Sequence, residues 1–153
     1  MIVRPVQGSD LPALIRNRIR PFAEIQLRRD VDVAFSVLGT PRMIDCDPVL
    51  VEEMVANLLD NAAKYALHPG GHLDVSVAFQ PRSVNIRFAD DGPGVPPELR
   101  ERIFDRFFRL DEDQSRGCGL GLAIVSDVAR AHDGTARCFS ERSGAVFEVT
   151  FDR

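Results

Sequence analysis

Tryptophan is absent from this chain, and tyrosine and lysine occur once each, as Tyr65 and Lys64. The three cysteines, Cys46, Cys118 and Cys138, stand far apart and form no zinc spacing. A disulfide framework is not expected, and a reducing cytoplasm fits best. No apolar run approaches the ~20 residues that would span a bilayer. The opening stretch MIVRPVQGSD has no signal-peptide core. Positive charge is not in excess: the net charge is -4, which argues against a broad nucleic-acid footprint. Two phosphate-binding signatures are missing as well. No G-K-[ST] follows a glycine-rich loop. The glycines at 117, 119 and 121 are followed by Leu122, where a dinucleotide fingerprint needs glycine.

What remains is the profile of one ordinary domain: 153 residues, 44% hydrophobic and 27% charged. Asp10 is placed to cap a helix over about 10–30, which Pro21 should kink or split. Val31–Leu38 alternates like a strand, and MIDCD is a candidate short strand. Asp47 caps a second helix, opened by Pro48 and running to about Ala66, before HPGG. LDVSVAFQ and SVNIRFAD read as a hairpin turning at QPRS. PPELRERIFDRFFR begins helical and ends aromatic. LDEDQSRGCG is polar and glycine-bounded, hence a loop expected to be mobile. LGLAIVSDVARAH is an apolar helix closed by His132 and Gly134. GTARCFSE and GAVFEVTF make a last hairpin. The order predicts an α+β two-layer sandwich, with about three helices on one face of a mixed, mostly antiparallel sheet.

The second helix carries an unusual stripe. At about 100° per residue, Glu53, Asn57, Asp60, Asn61 and Lys64 share an arc of roughly 100°. Val51, Met54, Val55, Leu58, Ala62 and Ala63 point the other way. A solvated face is the common fate of such a stripe, but two asparagines one turn apart are poor choices inside a helix. Asparagine oxygen also suits Mg²⁺, which binds through one or two protein groups, waters and phosphates. The lone lysine offers a compact charge that arginine does not, although, taken alone, chance in an arginine-rich chain is the favoured explanation. At Leu120 a glycine loop enters a helix, where free backbone N–H groups suit phosphate oxygens.

Four stretches together resemble the ATP-binding catalytic domain of bacterial sensor histidine kinases, of the Bergerat fold shared with gyrase-type ATPases. They are NLLDNAAKY (Asn57–Tyr65), DDGPGV (Asp90–Val95), IFDRFFR (Ile103–Arg109) and GCGLGLAIV (Gly117–Val125). The resemblance covers the chain from about Asp45 onward. It implies that Asp90 accepts the adenine amine and that Gly92, Gly94 and Val95 form the turn against the base. It further implies that Asn57 is the Mg²⁺ ligand, that Asn61 and Lys64 meet phosphates, and that Tyr65 packs near the base or ribose. Gly117, Gly119, Leu120, Gly121 and Leu122 would form the hinge and phosphate contacts of a mobile ATP lid over about 105–116. Asp91 reads as a solvated turn residue. Phe104, Phe107 and Phe108 read as packing, as a docking patch for a partner domain, or as both. Arg109 ranks first among the arginines that could neutralise γ-phosphate charge. Glu53 matches the position where the ATPase relatives activate water, with an open role in a kinase.

The resemblance also says what to look for elsewhere. None of the three histidines fits the family's phosphoacceptor motif, which sits in a separate dimerising hairpin. The implied partners are that hairpin and, downstream, a response regulator, with the fragment monomeric and the whole kinase homodimeric. The implied setting is cytoplasmic, on a parent that an inner-membrane anchor would suit. A hydrolytic clamp of the gyrase type and a nucleotide-binding module without phosphotransfer are the two other readings. The implied cofactors are ATP and Mg²⁺.

Overall fold

A computed structural model describes residues 2–108 and 121–152. Chain order is β1 (Val6–Ser9), α1 (Leu11–Leu27), β2 (Asp32–Leu38), β3 (Ile44–Cys46), α2 (Pro48–Tyr65), β4 (His72–Gln80), β5 (Ser83–Asp90), α3 (Gly121–Ala131), β6 (Gly134–Phe139) and β7 (Val146–Asp152). Five strands form the main sheet in the order β2-β4-β5-β7-β6, and β1 pairs with β3 in a small second sheet. Only β2 and β4 run parallel within the main sheet; its other neighbours are antiparallel. The mixed, mostly antiparallel sandwich is the architecture that the order of elements predicts.

Strand alternation decides which residues enter the core. Along β5, Val84, Ile86, Phe88 and Asp90 are buried, and the residues between them are half-buried. Asp90 is thus the last inward-facing residue of its strand, a carboxylate at the rim of an apolar layer. α2 covers this layer with Val51, Met54, Val55, Leu58, Leu59 and Ala62. The buried stripe includes Leu59, while Ala63 is only half-buried. The apolar arc is therefore rotated slightly from the one expected.

Asp47 caps α2 as predicted, its Oδ1 accepting from the amides of Val49 (3.1 Å) and Leu50 (3.2 Å). Its Oδ2 also accepts the Arg4 amide at 2.7 Å, tying the N-terminal strand to the helix start. Asp10 caps α1 through the Ala13 amide at 3.0 Å. α1 packs on α2 and β2 through Leu11, Ile15 and Ile19.

Three expectations need correcting. Pro21 does not split α1, which continues to Leu27. Pro21 and Asn17 lie on the exposed side, where water can serve the carbonyl that a proline leaves without its helical donor. The stretch after Pro96 forms no α-helix. It makes two 3-10 turns, Pro97–Leu99 and Arg102–Phe104, with bonds spanning three residues, such as Leu99 N to Pro96 O at 2.9 Å. Finally, the left-handed residue after α3 is Asp133 (φ 55), not Gly134, which already belongs to β6.

Candidate nucleotide-binding site

Asp90 is buried and carries no salt bridge among the described residues. Its Oδ1 accepts two backbone amides, Gly92 at 2.9 Å and Ala145 at 3.1 Å. Among the described residues Oδ2 has no hydrogen-bond partner. Burial raises the Asp90 pKa, and neighbouring Asp91 adds to this, although the two amides pull it the other way. The carboxylate is therefore oriented rigidly by one oxygen, with the other left as an acceptor.

Glycine is required in the turn that follows. A Cβ on Gly92 would stand 2.6 Å from the carbonyl oxygen of Ala66, the residue closing α2. Gly94 has φ +76, and a Cβ there would approach the Gly144 oxygen to 3.2 Å. The turn is thus pressed between the end of α2 and the β6–β7 loop. Val95 is buried behind it. Asp91 is more than a solvated turn residue: its Oδ1 accepts the His72 amide at 3.0 Å and lies 3.6 Å from His68 Nε2. The Pro69 carbonyl, with Asp91, raises the His68 pKa.

On α2 the Asn57 amide nitrogen donates to the Glu53 carbonyl at 2.9 Å. Only the NH₂ group can make that bond, so Oδ1 is the outward end. That oxygen faces the start of α3, where a Cβ on Gly121 would stand 3.1 Å away. Asn61 and Tyr65 are half-buried along the same helix, and Glu53 is exposed. Lys64 forms an ion pair with Asp60 at 3.0 Å, one turn back. Leu122 packs half-buried against the core. The structure therefore brings together Asn57, Gly121, the 92–95 turn and Asp90, all against α2. Arg109, Gly117, Gly119 and Leu120, and most of the expected lid, lie outside the described residues.

The aromatic motif splits as both of its readings allow. Phe104 packs edge-on against Phe147, with centroids 6.4 Å apart. Phe108 is half-buried under the Arg102 guanidinium, 5.1 Å from its ring centre. Phe107 is 69% exposed and adopts φ 66, a costly conformation for a bulky side chain.

Sequence reasoning missed Ala145 as the second amide that holds Asp90. Ser140, Ser143 and Gly144 were the only signal for that loop, whose Ala145 lies 55 positions away. Cys138 lies close enough for the Asp90 charge to act on it. Burial pushes its thiol up to about 11, so it stays protonated. A cleft of about 460 Å³ lies on the sheet face opposite α2, lined by residues including His72, Asp74, Glu141 and Arg142. Asp90 and Asp91 also line it, whereas Asn57 does not.

Comparison with known proteins fits this arrangement. Residues 46–153 match the family described as histidine kinase-, DNA gyrase B- and HSP90-like ATPases. The sensor-like histidine kinase SenX3 of Mycobacterium tuberculosis is 44% identical over 133 residues, covering 83% of this chain and 30% of its own length. The chain thus spans about a third of that relative. The structure of the mycobacterial sensor histidine kinase MprB superposes with a TM-score of 0.77 at 30% identity, covering 99% of this chain and 97% of that one. Full-length ShkA in complex with AMPPNP gives 0.81 at 25% identity, covering 100% of this chain and 32% of that one. These alignments include the N-terminal strand and helix, so that stretch is part of the same fold. No helix among the described residues is long and apolar enough to cross a membrane. The chain belongs to the family of histidine kinase-, DNA gyrase B- and HSP90-like ATPases.

Proposed function

We propose that this chain binds Mg-ATP in the angle between α2, the 90–95 turn and the start of α3, and presents the γ-phosphate to a histidine on a separate dimerisation domain. The observation that carries this reading is the pinned carboxylate of Asp90, with Oδ1 held by two amides and Oδ2 left to accept. An acceptor-only group there selects the exocyclic amine of adenine, where guanine would present a carbonyl. The missing Cβ of Gly92 lets the turn lie directly against Ala66 at the end of α2, which fixes where the turn stands beside the ring. Tyr65 packs beside base or ribose.

Asn57 Oδ1 is the Mg²⁺ ligand in this reading, since its amide nitrogen is already spent on Glu53 O. The metal, when bound, would neutralise charge on the phosphate oxygens. Asn61 and Lys64 contact phosphates, and the N-terminal end of α3 at Gly121 offers backbone amides to them. Asp60 holds the Lys64 ammonium alongside α2 before phosphate arrives. Arg109 and the 117–122 loop are assigned to closing over the triphosphate. Glu53, one turn before Asn57, orients the metal's water shell rather than acting as a base, because the nucleophile is an imidazole. Little covalent work falls to this domain; positioning and charge neutralisation dominate.

Relatives named as sensor histidine kinases, and the AMPPNP complex of ShkA, support this reading. A response regulator is the downstream recipient. The exposed Phe107, held in a left-handed conformation, is the side chain we assign to docking the partner domain. The test supplies a histidine-bearing helical hairpin from a sensor kinase with labelled ATP. Phosphohistidine that disappears in Asn57→Ala, with the variant still folded, is the expected result. Free phosphate with no phosphohistidine would contradict it.

A further inference from the structure

His132 makes two side-chain bonds that fix its tautomer. Nδ1 lies 2.8 Å from the Val128 carbonyl, which can only accept, so Nδ1 carries the proton. Nε2 therefore offers its lone pair to the Asp47 amide at 3.0 Å. The ring also stacks on Phe151, with centroids 4.7 Å apart and planes inclined by 17°. One imidazole thus joins the C-terminal end of α3 to the N-cap of α2.

The middle of α2 and the far end of α3 meet at the proposed nucleotide site. From Asp47 to Asn57 is a rise of about 15 Å, and from His132 back to Gly121 about 16 Å. Gly121 and Asn57 Oδ1 face each other at that distance from the tie. The helices run antiparallel, joined at one end by His132 and holding the metal ligand and the phosphate-facing glycine at the other. α2 and α3 pack against each other between these two points, and a close-packed interior transmits a displacement at the tie to the contact beyond it.

We infer that His132 is a positioning residue for nucleotide binding: its Nε2 bond to the Asp47 amide sets the spacing between Asn57 and Gly121. This rests on the proposed nucleotide site. The Asp47 carboxylate already serves Val49, Leu50 and Arg4, so the backbone amide of Asp47 depends on His132 among the described residues.

Two substitutions separate the acceptor from the ring. His132→Phe keeps an aromatic ring on Phe151 but accepts nothing. His132→Gln carries an oxygen with the reach of Nε2. Calorimetry with a non-hydrolysable Mg-ATP analogue should show His132→Phe weakened about 5-fold or more, with His132→Gln closer to wild type. Melting temperature is measured alongside. A folded His132→Phe that binds as tightly as wild type would overturn the inference, whatever its melting temperature. A second readout needs no variant. Coupling is reciprocal, so the analogue should slow hydrogen exchange at the wild-type Asp47 amide. An unchanged rate under saturating analogue would also overturn it. A wild-type chain that binds no analogue would remove the nucleotide site and this inference together.

Discussion

Asp90 is the residue on which function and stability pull in opposite directions. Burial raises its pKa, so its charged form is less favourable in the folded chain than in the unfolded one. The sign follows from linkage: this group's contribution to stability improves as pH falls through the raised folded value, and at neutral pH it is unfavourable. Asn in its place would keep an oxygen for the Gly92 and Ala145 amides and remove the buried charge. The same two amides would then force the Asn NH₂ to where Oδ2 stands, donor against the adenine amine. Asp90→Asn should therefore melt at or above the wild-type temperature at pH 7 while losing about tenfold or more in ATP affinity. A large drop in melting temperature with unchanged affinity would reverse the assignment. Asp47 has the opposite sign. Burial raises its pKa, but the amides of Arg4, Leu50 and Val49 outweigh this and lower it overall. Its stabilisation is present above about pH 4 and lost as pH falls through the depressed folded value. Asp47→Ala should cost about 1–2 kcal/mol at neutral pH, the range for losing an N-cap, and should flatten the acid limb of the stability curve. An unchanged acid limb in chemical denaturation would contradict this.

At the scale of elements, α2 is the part the sequence describes best. Helical period alone separates its buried stripe from Glu53, Asn57, Asn61 and Lys64, because both faces obey one repeat. The strand β5 is equally legible, since alternation carries Asp90 inward with Phe88 and Ile86. What could not be read is what depends on distant partners. Ala145 reaches Asp90 from just before the start of the neighbouring strand β7, 55 positions on, and His72 gives Asp91 its amide across 19 positions. The 3-10 turns after Pro96 were hidden for a different reason: their composition reads as helix, and only the tertiary setting shortens them. The contact between α2 and α3 yields a test of its own. Ala at 121 suits helix propensity but sets a methyl 3.1 Å from Asn57 Oδ1, tighter than ordinary van der Waals contact. Gly121→Ala should leave melting nearly unchanged and weaken Mg-ATP binding several-fold, roughly 1 kcal/mol. Equal Mg-ATP affinity in calorimetry would show that Asn57 need not hold its place.

Across the whole molecule, the helices and the main sheet bring three sequence-distant points against a single helix. The N-cap of α2 is tied to the end of α3, its middle faces the start of α3, and its C-terminal end abuts the Gly92 turn. The opposite face of the sheet is held by its own polar network: buried Glu148 receives Arg87 at 2.8 Å and Arg137 at 2.9 Å. That division leaves the helical side to the proposed nucleotide site. The central claim is that a rigidly held carboxylate chooses adenine. The most direct measurement is a pair of calorimetric titrations of the wild-type chain with Mg-ATP and Mg-GTP. ATP should bind, and GTP should bind at least about tenfold more weakly, since a carbonyl would meet Oδ2 in place of a donor. Equal affinity for the two nucleotides, or none for ATP, would contradict the account.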